Sequence, residues 1–171
     1  MVYARWLPAL AILALTAGAV HAERGDWRGY ELKSYGARVA YPAAIFDPLD
    51  SERPGMQSFA ARGEEARFLI GAWHNDKGHS PSQFRRFVLG KRADYRGLTY
   101  GPRGRDWFVL SGYSGDEIYY EKVMFSCNRR MISVLAITYP IARRHAYDPL
   151  VERMEDAFRP ATRDDRGRHC G

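Results

Sequence analysis

A chain of 171 residues, 46% apolar and 27% charged, can bury a core as one domain, which excludes an intrinsically disordered polymer. Two cysteines exclude a disulfide-dense scaffold and, by themselves, a structural zinc site, which needs four ligands. A net charge of +6 permits attraction to anionic surfaces without demanding it.

Residues 1–22 read as a secretory signal. Arg5 supplies a positive start, Trp6 to Val20 is an apolar run, and Val20-His21-Ala22 suits a small-residue cleavage site. The run is short for a membrane anchor. No cysteine stands directly after it to carry a lipid anchor, and no later run reaches spanning length. The mature chain, with a net charge of +5, is therefore expected to be soluble and periplasmic or secreted. Export would carry Cys127 and Cys170 into an oxidising compartment, where a disulfide between them is expected. The alternative is two free thiols.

The elements follow in order. Residues 23–30 are polar, with Trp27 and Tyr30 laid against the domain. Val39 and Tyr41 alternate with Arg38 and Ala40, a short strand that Pro42 stops. Ile45-Phe46 begins a second short strand, and residues 47–55 have turn composition. Met56–Ala61 and Ala66–Trp73 form a hairpin around residues 62–65; its second arm is apolar on both faces and belongs inside a sheet. Ser80, Pro81 and Gln83 make a capping box for a helix carrying Phe84, Phe87 and Val88 on one face, with Gly90 as its stop.

Leu98–Gly101 and Asp106–Tyr113 form another strand pair, and Gly112 and Gly115 bracket the next turn. The segment Glu117 to Pro140 then reads as a hairpin broken at Cys127-Asn128-Arg129-Arg130, with Asn128 suited to a left-handed backbone. In its second arm Ile132, Val134 and Ala136 point one way, and Met131, Leu135, Ile137 and Tyr139 the other. A strand apolar on both faces is covered on both faces. This is the expected central strand. Asp148 caps and Pro149 opens a last helix with the stripe Leu150, Val151, Met154, Ala157 and Phe158; Pro160 ends it. Residues 161–171 form a polar tail, disordered unless Cys170 ties it down. The expected fold is α+β: a three-layer α/β/α sandwich, with an antiparallel sheet of about six to eight strands and one helix on each face.

That order resembles the PsbP-like α/β/α sandwich family, and small exported bacterial proteins built on such a domain. The phrases that carry the resemblance are Tyr35-Gly36 leading to Tyr41-Pro42, Tyr119-Tyr120-Glu121, Thr138-Tyr139-Pro140, and Tyr147-Asp148-Pro149 leading to Phe158-Arg159-Pro160. The resemblance covers residues 30–160 of a domain expected over 23–160. It implies a non-enzymatic binding or accessory scaffold, and it carries over no catalytic residue and no cofactor.

Chemical motifs are sparse. Gly112-Tyr113-Ser114-Gly115 lacks the spacing of a nucleophile elbow and joins two strands. Cys127 as a nucleophile lacks a partner identifiable by spacing. His74, Asp76 and His79 sit in one loop, without a metal-binding signature. Glu121 falls on the apolar face of Tyr119, Val123 and Phe125, so it is a buried carboxylate that needs a partner or carries a raised pKa. Residues 85–105 hold Arg85, Arg86, Lys91, Arg92, Arg96, Arg103 and Arg105 against Asp94 alone, a local excess of +6. Arg85, Arg86, Arg92, Arg103 and Arg105 are the candidate anion-binding residues; the plain alternative is a solvated helix face. No nucleic-acid motif is present. Three readings remain. The first is an exported binding or accessory protein for an unknown protein or small molecule. The second is a binder of an anionic polymer or envelope surface. The third is a hydrolase or metal enzyme of unrecognised type.

Overall fold

The computed structural model describes residues 26–50, 53–91, 97–164 and 166–170. The expected signal segment lies outside them. Strands β1 (Trp27–Glu31) and β2 (Arg38–Pro42) form a two-stranded antiparallel ribbon. Seven further strands form the main sheet: β3 (Phe46–Pro48), β4 (Met56–Ala61), β5 (Arg67–His74), β6 (Gly97–Tyr100), β7 (Trp107–Ser114), β8 (Glu117–Ser126) and β9 (Met131–Pro140). Their spatial order is β3-β4-β5-β9-β8-β7-β6, and every neighbouring pair is antiparallel. Helix α1 (Pro81–Lys91) covers one face. Helix α2 (Arg144–Ala157), preceded by a 3-10 turn at Ile141–Arg143, covers the other face together with the β1–β2 ribbon.

The expected central strand is the middle one. Met131, Leu135, Ile137 and Tyr139 join the core under α2 with Tyr147, Leu150, Val151 and Met154. Ile132 and Val134 join the core under α1 with Phe84, Val88, Phe108 and Leu110. Each such side chain removed from water contributes about 1.5–3 kcal/mol. The alternation along β9 therefore fixes a helix on both faces. Lys122 Nζ to Glu155 Oε1 at 2.6 Å adds a half-buried ion pair between β8 and α2.

The capping box forms as read. Ser80 N donates to Gln83 Oε1 at 2.8 Å, and Gln83 N to Ser80 Oγ at 3.3 Å. Other details differ from the sequence reading. The N-terminal segment is not merely laid on the domain but supplies β1, because β2 lies outside the main sheet and takes Trp27–Glu31 as its partner. Gly90 does not stop α1, which runs on to Lys91. Phe87 shares the face of Phe84, with ring centroids 5.9 Å apart, but stays 41% exposed. Gly112 is not a turn residue. It sits inside β7, where a Cβ would lie 2.0 Å from the Gly97 carbonyl oxygen, so glycine permits the close approach of β6. Gly115, at φ +59°, makes the turn. Asp148 does not cap α2. The helix starts earlier, at Arg144, out of the 3-10 turn, and Pro149 lies inside it.

The C-terminal segment is ordered by contacts. Cys127 and Cys170 form a disulfide, with Cα atoms 4.9 Å apart. Ser126 Oγ donates to the Ala161 carbonyl at 2.7 Å, and Ala161 N donates to the buried Ser133 Oγ at 2.9 Å. Asp164, only 5% exposed, accepts from Arg168 Nη2 at 2.8 Å and from the Arg166 and Arg168 backbone amides. Burial pushes this carboxyl up. The hydrogen bonds from Arg168 and Arg166 outweigh it and hold the group below its ordinary value.

Candidate anion-binding cleft

Three separate segments meet at the start of β7: the first turns of α1, the β6–β7 loop at 101–106, and the β8–β9 turn at 127–130. Between them lies an open cleft of about 450 Å³, lined by Ser80, Ser82, Arg85, Arg103, Arg105, Trp107 and Arg129 among others.

The loop is held as a tight extension of β7. Val109 N donates to the Pro102 carbonyl at 2.9 Å, and Gly104 N to the Trp107 carbonyl at 2.9 Å. The Trp107 indole lies against Gly104, where a Cβ would sit 2.2 Å from Nε1. Arg85 reaches the same loop: a Cβ on Gly101 would lie 2.9 Å from its Nη2. The hairpin turn is built from three successive left-handed residues, Cys127 (φ 56°), Asn128 (φ 53°) and Arg129 (φ 64°). Non-glycine residues adopt this conformation reluctantly, so outside contacts must hold it. The disulfide at Cys127 is one such contact. Asn75, 7% exposed, is another. Its Nδ2 donates to the Arg129 carbonyl at 2.8 Å and to the His79 carbonyl at 2.9 Å. Its Oδ1 accepts from His79 N at 3.0 Å, and its own backbone amide donates to the Arg130 carbonyl at 2.7 Å. One buried amide thus fixes the hairpin turn against the approach to α1.

The electrostatics of the cleft are one-sided. Asp106 accepts from Arg129 Nε at 2.8 Å and lies 3.7 Å from Arg105 Nε. Arg129 Nη2 also donates to the Arg105 carbonyl at 3.4 Å. One carboxylate therefore serves two of the four guanidiniums. Arg85 Nε is shielded from solvent without a hydrogen-bond partner among the described residues. The first turn of α1 carries no acidic residue, so the positive end of its dipole is not offset by its own sequence. The lining offers guanidinium donors, the Ser80 and Ser82 hydroxyls and one indole, a set matched to an anionic group.

Of the residues singled out in the sequence, Arg85, Arg103 and Arg105 come together here. Arg86 is exposed on α1 away from the lining, and Arg92 lies outside the described residues. Arg129 joins them from a hairpin distant in sequence. Glu121 is 8% exposed on the α1 side of β8, opposite Leu110 and Ala136, and is not without a partner there. It does not line the cleft. Cys127 is in a disulfide and carries no thiol to act as a nucleophile. His74 Nδ1 lies 2.7 Å from Asp76 Oδ1, while the His79 ring stacks on Phe87 at 5.8 Å. These loop residues border a separate open pocket of about 220 Å³, and no three His, Cys, Asp or Glu side chains cluster to hold a metal among the described residues. No helix among the described residues is long and apolar enough to cross a membrane.

No protein-family model matches the chain, and no curated protein matches its sequence. Solved structures match its fold. The Ran-binding protein Mog1p of Saccharomyces cerevisiae superposes with a TM-score of 0.56 at 11% identity, covering 80% of this chain and 96% of that one. A point mutant of Mog1 gives 0.55 at 12% identity, covering 79% and 96%. The cyanobacterial PsbP protein CyanoP of Synechocystis gives 0.56 at 15% identity, covering 85% and 98%. The α+β sandwich is therefore the fold of the PsbP and Mog1 structures.

Proposed function

We propose that this chain is an exported, non-catalytic binding or accessory protein that uses the arginine cleft to engage an anionic group of its partner. The observation that carries this reading is the convergence of Arg85, Arg103, Arg105 and Arg129 from three segments around one cleft. The similar fold of a protein named as Ran-binding supports a role in binding rather than catalysis. Export rests on the pattern of residues 1–22 and on a cysteine pair suited to an oxidising compartment. The partner is an acidic protein or an anionic envelope polymer.

Salt-dependent retention on heparin tests the reading. Replacing Arg85, Arg103, Arg105 and Arg129 by Gln should bring elution to lower salt and flatten the salt dependence. Replacing Arg86, which shares the helix but not the cleft, should have a much smaller effect. Equal effects from Arg86 and Arg85 would reduce the cleft to diffuse surface charge. Fractionation of cells expressing the full chain tests export: recovery in the cytoplasm at full length would refute it.

A further inference from the structure

A second concave surface lies beside α2, on the same side of β6, β7 and β8. The groove measures about 320 Å³, at the lower end of the range for small-molecule sites. Strand register places its rings. Ser111 pairs with Tyr100 on one side and Tyr120 on the other, and Ile118 stands in the same way between Tyr113 and Tyr139. Neighbouring strands lie about 4.8 Å apart, so the two rings of each pair are rooted about 10 Å apart across one smaller side chain. Tyr139 is buried in the core under α2, and Tyr120 is half-buried against it. Tyr100 and Tyr113 form the open side and are 58% and 40% exposed.

The charges along α2 leave this groove negative. Arg144 Nε donates to Asp148 Oδ2 at 2.9 Å, so these two side chains cancel. Tyr139 Oη donates to Asp148 Oδ1 at 2.7 Å. Glu152, one turn further along α2, lines the same groove, is exposed, and has no ion-pair partner among the described residues. Burial first, and then Glu155, push the Tyr120 hydroxyl up; burial first, and then Asp148, do the same for Tyr139. Both rings are therefore neutral phenols near pH 7, and neutral phenol rings present the negative faces of their π-systems. An anion would be repelled by Glu152. A metal ion finds no cluster of three His, Cys, Asp or Glu side chains among the described residues. A Lys or Arg side chain brings three to five N–H groups that need acceptors, and both Asp148 oxygens are already engaged. An organic cation without N–H groups has no such need, and both the carboxylate and the ring faces attract it.

We propose that the groove between α2 and the β6–β7 edge binds a small quaternary ammonium ion. Its methyl groups lie against the Tyr100, Tyr113 and Tyr120 rings, within about 6 Å of their centroids, and Glu152 supplies the opposite charge. This site is independent of the arginine cleft, which is lined by cations and takes a ligand of the other sign.

Choline and tetramethylammonium are the probes, titrated into the chain as recovered from expressing cells and followed by amide NMR shifts. Dimethylbutanol, the neutral carbon analogue of choline, is the control for shape. Saturable shifts at Tyr100, Tyr113 and around Glu152 are expected from both cations, with the alcohol binding roughly tenfold more weakly or not at all. Tyr100→Leu with Tyr113→Leu should weaken cation binding roughly tenfold or more, whereas the corresponding Phe pair keeps both rings and should stay within about threefold of wild type. Glu152→Gln should cost several-fold. All three sites are exposed, and unchanged thermal unfolding would show that the variants are folded. Silence with both cations overturns the proposal, as does retained affinity in the Leu pair. Equal binding of the alcohol would reduce the site to a plain apolar groove and overturn it as well. Binding of arginine amide while both quaternary ions are silent would assign the groove to a basic side chain of a partner protein instead.

Discussion

Arg129 Nε donates 2.8 Å to Asp106 Oδ1, joining the β8–β9 turn to the loop that precedes β7. The two side chains are 44% and 41% exposed, so the pair contributes at most about 1 kcal/mol to stability. Its larger effect is on the field in the cleft. Asp106→Asn keeps an acceptor oxygen for Arg129 and removes the carboxylate. Retention on heparin should therefore rise, opposite in sign to the arginine replacements, with little change in melting temperature. A fall in retention would mean that Asp106 acts by positioning the loop rather than by its charge.

The disulfide closes a loop spanning 43 residues. The chain-entropy model assigns such a closure about 4 kcal/mol. Cys127→Ala with Cys170→Ala should lower the urea midpoint correspondingly and expose residues 161–170 to protease. It should also weaken anion binding, because the left-handed turn that carries Arg129 loses one of the contacts that hold it. Thiol titration of the unfolded, unreduced wild type should find no free thiol, and two per chain would refute the pairing.

Asp164 ionises below its ordinary value in the folded chain because Arg168 and the nearby amides bind its charged form. A depressed folded pKa contributes stability above the unfolded value of about 3.9, and that contribution is lost as pH falls through the folded pKa. Asp164→Asn should thus be less stable than wild type near neutrality. The gap should narrow below about pH 4. Urea midpoints of the two proteins from about pH 7 to about pH 3 measure this, and a gap that widens on acidification would contradict it.

Much of the fold was legible because it follows from periodicity. The two-faced pattern of β9 alone demands two covering layers, and Ser80-Pro81-Ser82-Gln83 carries the α1 start in its own hydrogen bonds. The misreadings lie where distant residues decide. Asp148-Pro149 has the local form of a helix start. Asp148 instead binds Tyr139 and Arg144, so the helix begins a turn earlier. Gly112 has the local form of a turn residue, but glycine is needed there by the neighbouring Gly97 carbonyl, which no local pattern reveals.

The cleft was half legible. The run from Arg85 to Arg105 marks it by charge density. Arg129 stands in the sequence as part of the polar break of a hairpin, since its place in the cleft depends on how the β8–β9 turn packs against the β6–β7 loop. Asn75 lies in the sequence between His74 and Asp76, in a polar loop. Its importance comes from burial, and a polar residue flanked by His74 and Asp76 gives no sign of that.

The order β3-β4-β5-β9-β8-β7-β6 has a kinetic corollary. Strands β3 to β5 pair with their sequence neighbours, and so do β6 to β9. Within this sheet, among the described residues, only the β5–β9 seam, where Arg67 meets Thr138 and His74 meets Met131, joins residues far apart along the chain. The loop-closure entropy of assembling the sheet is concentrated in that seam. Two locally formed meanders that collide and zip along β9 are the expected route, with the strand that unites the two cores also setting the pace at which they form.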